Sequence, residues 1–273
     1  MSVLPRGRGR RAVLGSLALA AIGTPLALTQ PWASAASKTG GVLWHPDVHR
    51  DSLRAFQGIE ADRGHKHPER KGRYVVVEQD HWRFNIWRND RDTTGGGDRQ
   101  RTEMHGMQAG GHAVNMRDGE TWRLAYEMFM PASMHASTYW FNHIFQTKTP
   151  KTNDGPWVTL SLQRHGNTEM IQLQADSTSG VPIIAVHELA PLRESWVGVE
   201  ITLRIGEKGS AALALHSGAG KLLTNGTRNN IRIPDQNGYV WPKWGIYRSV
   251  RAAASDIVDT YLLLRNFTGT RLG

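Results

Sequence analysis

From Lys38 to its end the chain is written as short apolar or alternating runs, each closed by Gly, Asn, Asp or Pro, and no stretch carries the periodicity of a long amphipathic helix. Residues 74–78 form a β-branched run. Residues 122–130 set Trp122, Leu124, Tyr126 and Met128 against Arg123 and Glu127, the period-two alternation of a half-buried strand. Residues 139–148, 158–163, 170–175, 196–205, 211–216, 245–248 and 260–267 read the same way. Turn chemistry separates several of them, at Asn153-Asp154-Gly155-Pro156, His165-Gly166-Asn167 and Gly206-Glu207-Lys208-Gly209. Many strands at this spacing predict an all-β sandwich or jelly roll, two antiparallel sheets with short accessory helices near residues 51–56 or 252–256.

The first 35 residues follow a different grammar. Arg6, Arg8, Arg10 and Arg11 precede an apolar stretch from Ala12 to Leu28, and Ala33-Ser34-Ala35 supplies a small-x-small cleavage site. This is the pattern of an export signal, and the Arg10-Arg11 pair before the apolar run resembles a twin-arginine signal. Residues 1–35 are therefore expected to be removed, leaving one domain over 36–273, outside the cytoplasm and with no membrane attachment. The whole chain carries 33 Lys and Arg against 24 Asp and Glu. Without the signal arginines the mature charge is +5, enough for an acidic polysaccharide partner and weak support for nucleic acid. There is no cysteine, which excludes a disulfide framework, a thiolate metal site and a cysteine nucleophile. A large core needs none of these, and a monomer is expected.

Common catalytic motifs are absent: no GxSxG elbow, no GxxxxGK[ST] loop, no GxGxxG after a strand and no HExxH. Glu60-Ala61-Asp62 begins the ExDxxE run of a retaining glycosidase sandwich, but its second glutamate is replaced by His65, so two-carboxylate glycoside hydrolysis is not expected. Aspartates in Asn89-Asp90-Arg91-Asp92 could hold calcium, yet the oxygen-ligand set is incomplete and a solvated loop is the expected state. No cofactor and no metal are expected.

Three segments are polar where a sheet wants apolar residues. In the first, residues 100–105, strand parity puts Arg101, Glu103 and His105 on one face, either a solvated ion pair or a site. In the second, residues 140–148, parity puts Asn142, Gln146 and Lys148 beside Trp140 and Ile144, a row able to bind a carboxylate. His143 joins Phe141 and Phe145 as a core histidine unless a bulge reverses it. In the third, residues 241–249, Lys243 and Tyr247 share a face across Gly245, with Arg248 following.

Together the segments resemble the three blocks of β-jelly-roll polysaccharide lyases. Arg101-x-Glu103-Met104-His105, Phe145-Gln146-x-Lys148 and Lys243-x-Gly245-Ile246-Tyr247 stand in the order of the alginate-lyase blocks RxELR, QIH and KAGVY. The last spacing is also similar to that of heparin-lyase-type and glucuronan-lyase-type enzymes. His105 replaces the second arginine and Lys148 the histidine of those patterns, so the resemblance implies a lyase and leaves the polymer and uronate epimer open. It implies a concanavalin-like jelly roll with a substrate groove on its concave sheet. It also implies β-elimination from a uronate: neutralisation of the C6 carboxylate, removal of the C5 proton and protonation of O4. Arg101, Gln146 and Asn142 would neutralise the carboxylate. Tyr247 would act as base, acid or both, with Lys243 and Arg101 as the cations that a phenol, of ordinary pKa about 10, needs in order to work as a base. His143 is the alternative base, Glu103 would orient Arg101, and Lys148, His105 and Arg248 would contact substrate. The competing reading is a non-catalytic carbohydrate-binding jelly roll whose ten tryptophans serve as stacking platforms.

Overall fold

The computed structural model describes residues 40–92, 97–150, 155–175 and 180–273. The export signal and the expected mature start near Ala36 lie outside the described residues, as do Asn153 and Asp154 of the first turn. In chain order the strands are β1 (Gly41–Trp44), β2 (Gly58–Ala61), β3 (Val75–Glu78), β4 (His81–Ile86), β5 (Arg99–His105), β6 (Met107–Ala109), β7 (His112–Val114), β8 (Thr121–Phe129) and β9 (Asn142–Lys148). They continue with β10 (Val158–His165), β11 (Thr168–Ala175), β12 (Ile183–Glu188), β13 (Trp196–Arg204), β14 (Gly206–Ser217), β15 (Leu222–Ile233), β16 (Trp241–Ser249) and β17 (Thr260–Arg271).

Two antiparallel sheets stack without closing into a barrel, the architecture of a jelly roll. One runs β15-β14-β13-β8-β17-β4-β3 with β1 also paired to β17, and the other runs β12-β11-β10-β9-β16-β5-β2. Between them the inward residues of alternating strands form the core. Trp44 stacks on Trp244 at 5.3 Å, and Phe56, Trp82 and Phe267 pack edge-on or tilted around them. Trp44, Trp82, Trp122, Trp157 and Trp244 are all buried, so half of the tryptophans are core, not sugar platforms.

The expected strands are present, with three differences. Residues 206–209, expected as a turn, lie in the reversal between Arg204 and Ser210, which pair across the β13–β14 hairpin, and they also extend β14 by irregular pairing with β15, where the register shifts. No helix forms at residues 252–256, where Asp256 closes a turn onto Ala253. Near residues 51–56 the helix is a single turn, Val48–Asp51, capped by Asp47 and continued as a 3-10 turn over Ser52–Ala55. Strand β15 escapes period-two reading because polar residues dominate it and only Ile231 and Ile233 are well buried.

Candidate active site

The central strands of the second sheet carry the site. β16 lies between β5 and β9, and its ladder to β5 pairs Lys243 with His105, Gly245 with Glu103 and Tyr247 with Arg101. Its ladder to β9 pairs Lys243 with Gln146 and Tyr247 with His143. Side chains opposite one another on one face of a sheet meet, so the three polar segments become neighbours although they lie far apart in sequence. Arg101, Gln146, Lys148, Lys243 and Tyr247 line one groove of about 450 Å³, together with Glu60, Arg63, Arg99 and Trp241.

Two irregularities decide which residues face it. Between Trp244 and Tyr247, β16 has one residue more than β9, and between Phe145 and His143, β9 has one more than β10. The bulged β9 therefore buries both Ile144 and Phe145 and leaves His143 and Gln146 on the outward face. This corrects the core placement expected for His143. Its Nδ1 lies 2.8 Å from Ser161 Oγ, its ring stacks on Phe141, and burial pushes its pKa down to about 4. It lines a neighbouring recess with Pro156, Trp157 and Thr159, 6.0 Å from the Tyr247 ring. Asn142 is displaced in the opposite sense. It is buried, and its side chain donates to the His135 carbonyl, not toward the groove. Arg248 also turns away from Tyr247, as its alternation on β16 requires. It is buried against Gln100 and donates to the carbonyls of Asp256 and Val258, so it does not contact a ligand in the groove. His105 sits one layer back, its ring 4.2 Å from Trp241 and its Nδ1 3.4 Å from Glu60. A Cβ at Gly58 would stand 2.6 Å from that ring, so glycine is needed there.

The groove floor is an ion cluster. Glu60 on β2 is directly opposite Glu103 on β5, a like-charge pairing that destabilises a ladder unless cations intervene. Lys243 Nζ bridges the two carboxylates at 2.9 and 3.1 Å, and Arg101 Nη1 reaches them at 3.2 and 2.6 Å. Arg101 Nε also reaches Asp92 at 3.1 Å, and Arg63 grips Asp92 at 2.5 Å. Gln146 Nε2 donates to Glu103 Oε1 at 2.5 Å. Burial raises the Glu103 and Glu60 carboxyls. For Glu103 the charges of Lys243 and Arg101 and the Gln146 hydrogen bond outweigh it; for Glu60 the His105 hydrogen bond and the same two cations do. Both end below the usual carboxylate range. Burial likewise opposes the Arg101 charge, but Glu103 and Asp92 overcome it and hold the guanidinium ionised.

At the other end of the floor Arg99 Nη1 donates to the Tyr247 phenol oxygen at 2.9 Å, and the Arg101 guanidinium lies 3.8 Å above the Tyr247 ring. Asp98 holds Arg99 at 2.7 Å. Arg99 shares parity with Arg101 on β5, so the alternation that selected Arg101 also marks it. Glu60 and Asp92 had no such local signal, because only the β2–β5 ladder and the chain's return bring them under Arg101. The Asn89-Asp90-Arg91-Asp92 run is not a solvated loop: Asp92 is buried against two arginines, and Asp90 is paired with Arg70 at 2.5 Å.

No family model and no curated protein matches the sequence. Solved structures do match the fold. An alginate lyase from Pseudomonas aeruginosa superposes with a TM-score of 0.51 at 15% identity, covering 80% of this chain and 98% of that one. A family 7 alginate lyase in complex with product (GGG) gives 0.51 at 14%, covering 72% and 83%. Another variant in complex with substrate (GGMG) gives 0.50 at 14%, covering 73% and 82%. The chain has the β-jelly-roll fold that these lyases share.

Proposed function

We propose that the protein is a polysaccharide lyase that cleaves a uronic-acid polymer by β-elimination. The observation that carries the reading is the phenol of Tyr247, held by Arg99, in a groove whose lining also carries Gln146 and Lys148 above a floor of Arg63, Arg101 and Lys243 balanced by Glu60, Glu103 and Asp92. Such a groove offers a carboxylate charged and amide hydrogen-bond donors, and the likeness in fold to alginate lyases supports a uronate. No helix among the described residues is long and apolar enough to cross a membrane. Export as a mature chain from about residue 36 is part of the proposal and rests on residues 6–35.

In the proposed step the C5–H bond breaks, its electron pair forms the C4=C5 double bond, and the C4–O4 bond breaks. Tyr247 takes the C5 proton and a proton passes to O4, so one residue that serves as base and acid ends as it began. Charge grows on the C6 carboxylate as the proton leaves. Arg101 and Lys243 are committed to Glu60, Glu103 and Asp92, so their field acts from beneath while Gln146 and Lys148 on the wall meet the carboxylate. Glu103 fixes the orientation of Arg101 and Gln146 through its two oxygens. Arg99 stabilises negative charge on the phenol oxygen. His143 is neutral near pH 7 and lines the adjoining recess, so it is the fallback base.

The test is to incubate the mature protein with glucuronan, alginate, heparin-like and gum polymers and follow the ultraviolet absorbance of unsaturated uronate ends. Absorbance growing with chain cleavage is expected. Retention of polymer without any product would favour a binding module and overturn the lyase.

A further inference from the structure

We propose that Trp140, with Arg251 against it, is an outer binding platform at the Tyr247 end of the groove, which takes one uronate residue of the polymer by ring stacking. The proposal extends the lyase reading and rests on it for the identity of the polymer. Trp140 is 49% exposed and Tyr139 beside it is 53% exposed, in a protein whose other large rings are mostly buried. Its backbone is held at φ +71°, a conformation that a bulky side chain pays for in strain. The loop is over-determined around it: Thr138 N donates to Asp256 at 2.8 Å, Gln163 Nε2 to the Trp140 carbonyl at 3.2 Å, and Ser249 N to the Phe141 carbonyl at 2.9 Å. The ring packs on Tyr139, Phe141 and Arg251 yet stays half exposed, and strained backbones that hold a side chain in such a position cluster at ligand clamps.

The platform is continuous with the proposed site along two lines. One is aromatic: the Trp140 ring lies 6.0 Å from Phe141, which lies 4.7 Å from Tyr247. The other is ionic: the Arg251 guanidinium sits 4.4 Å over the Trp140 ring and 3.5 Å from Asp98, which holds Arg99, the donor to the Tyr247 hydroxyl. A sugar one or two residues from the cleaved bond reaches this position. Its C–H face suits the indole, and its carboxylate suits Arg251, so the pair selects charged over neutral sugars. Contacts made here are equal in ground and transition states, so their loss raises KM and leaves kcat unchanged.

Glycine accepts φ +71° without strain, so Trp140→Gly keeps the loop while removing the ring, and Trp140→Tyr keeps a stacking surface. The first readout is electrophoretic mobility in gels containing sodium alginate, glucuronan or heparin. Wild-type retardation in at least one gel, lost in Trp140→Gly and restored in Trp140→Tyr, is the expected result, with about five- to tenfold weaker binding for the glycine variant. Equal retardation of wild type and Trp140→Gly, or none for either in all three gels, overturns the platform. The second readout is turnover: on polymer, Trp140→Gly should raise KM by the same factor at constant kcat, and a fall confined to kcat overturns it. Retardation that follows Trp140 with no unsaturated product from the wild type would support the platform and sink the lyase reading alone.

Discussion

Glu103 is the clearest place to test whether the groove floor behaves as one charge unit. Its carboxylate is 1% exposed and meets Gln146, Arg101 and Lys243, while Glu60 sits opposite it. Three carboxylates, Glu60, Glu103 and Asp92, face three cations, Arg63, Arg101 and Lys243, so the cluster is neutral. Glu103→Gln keeps the volume but turns an amide toward two cations and leaves the cluster with excess positive charge. Breaking a buried pair from one side costs about 3 to 5 kcal/mol, and because Glu60 still holds both cations the expected loss is about 3 kcal/mol. For a domain of this size that lowers the melting temperature by about 10 °C. Lys243→Met leaves the two glutamates facing each other with Arg101 alone and should cost a similar amount. The double variant restores neutrality, so its loss should fall short of the sum of the single losses by about 2 kcal/mol. Urea unfolding of all four proteins measures this. Losses that add within about 0.5 kcal/mol would refute the coupled cluster.

Other predictions follow from single positions. Gly245 has φ +137°, and a Cβ there would lie 2.1 Å from the Thr102 carbonyl, so Gly245→Ala should destabilise by at least about 2 kcal/mol, read as a lowered urea midpoint. The His143 pKa is pushed down to about 4, against about 6.5 for an exposed histidine, so between those values the unfolded chain binds the extra proton and stability falls as pH drops. The loss should be about 2 kcal/mol after allowing for partial exposure of the ring, and His143→Phe should flatten the slope in that window; an unchanged slope would contradict it. The depressed Glu60 and Glu103 carboxyls act in a separate window: their contribution is full above about 4.5 and is lost as pH falls further. Arg99→Gln removes a charged donor worth about 1.5 to 3 kcal/mol to the phenol oxygen, so kcat should fall about 10- to 100-fold at an unchanged melting temperature.

The sequence made one face of the site readable and hid the rest for identifiable reasons. Strand parity alone places Arg101, Glu103, Lys243 and Tyr247 correctly, because β5 and β16 pair without a register shift. It fails at Asn142 and His143, where the β9 bulge moves each to the side opposite the one expected, and a single extra residue leaves no compositional trace. Arg248 follows parity, which turns it away from Tyr247 and from the substrate contact expected of it. Its carbonyl partners lie 8 and 10 residues further along, in the irregular segment before β17, and no periodic pattern announces them. Glu60 belonged to a motif set aside as incomplete, and only its ladder position opposite Glu103 gives it a role. The jelly roll itself was legible from recurring runs and turns, although β15, mostly polar and at a sheet edge, was not.

The central claim is that Tyr247 transfers the proton in a lyase reaction, and Tyr247→Phe tests it most directly. The substituted ring can still lie under Arg101 and against Phe141, so folding and polymer binding should persist while proton transfer is lost. On the polymer that the wild type cleaves fastest, the initial rate of unsaturated-uronate formation should fall by about 10² to 10⁴, the usual contribution of a general acid–base group, at an unchanged melting temperature. A folded Tyr247→Phe protein that forms product at the wild-type rate would contradict the account.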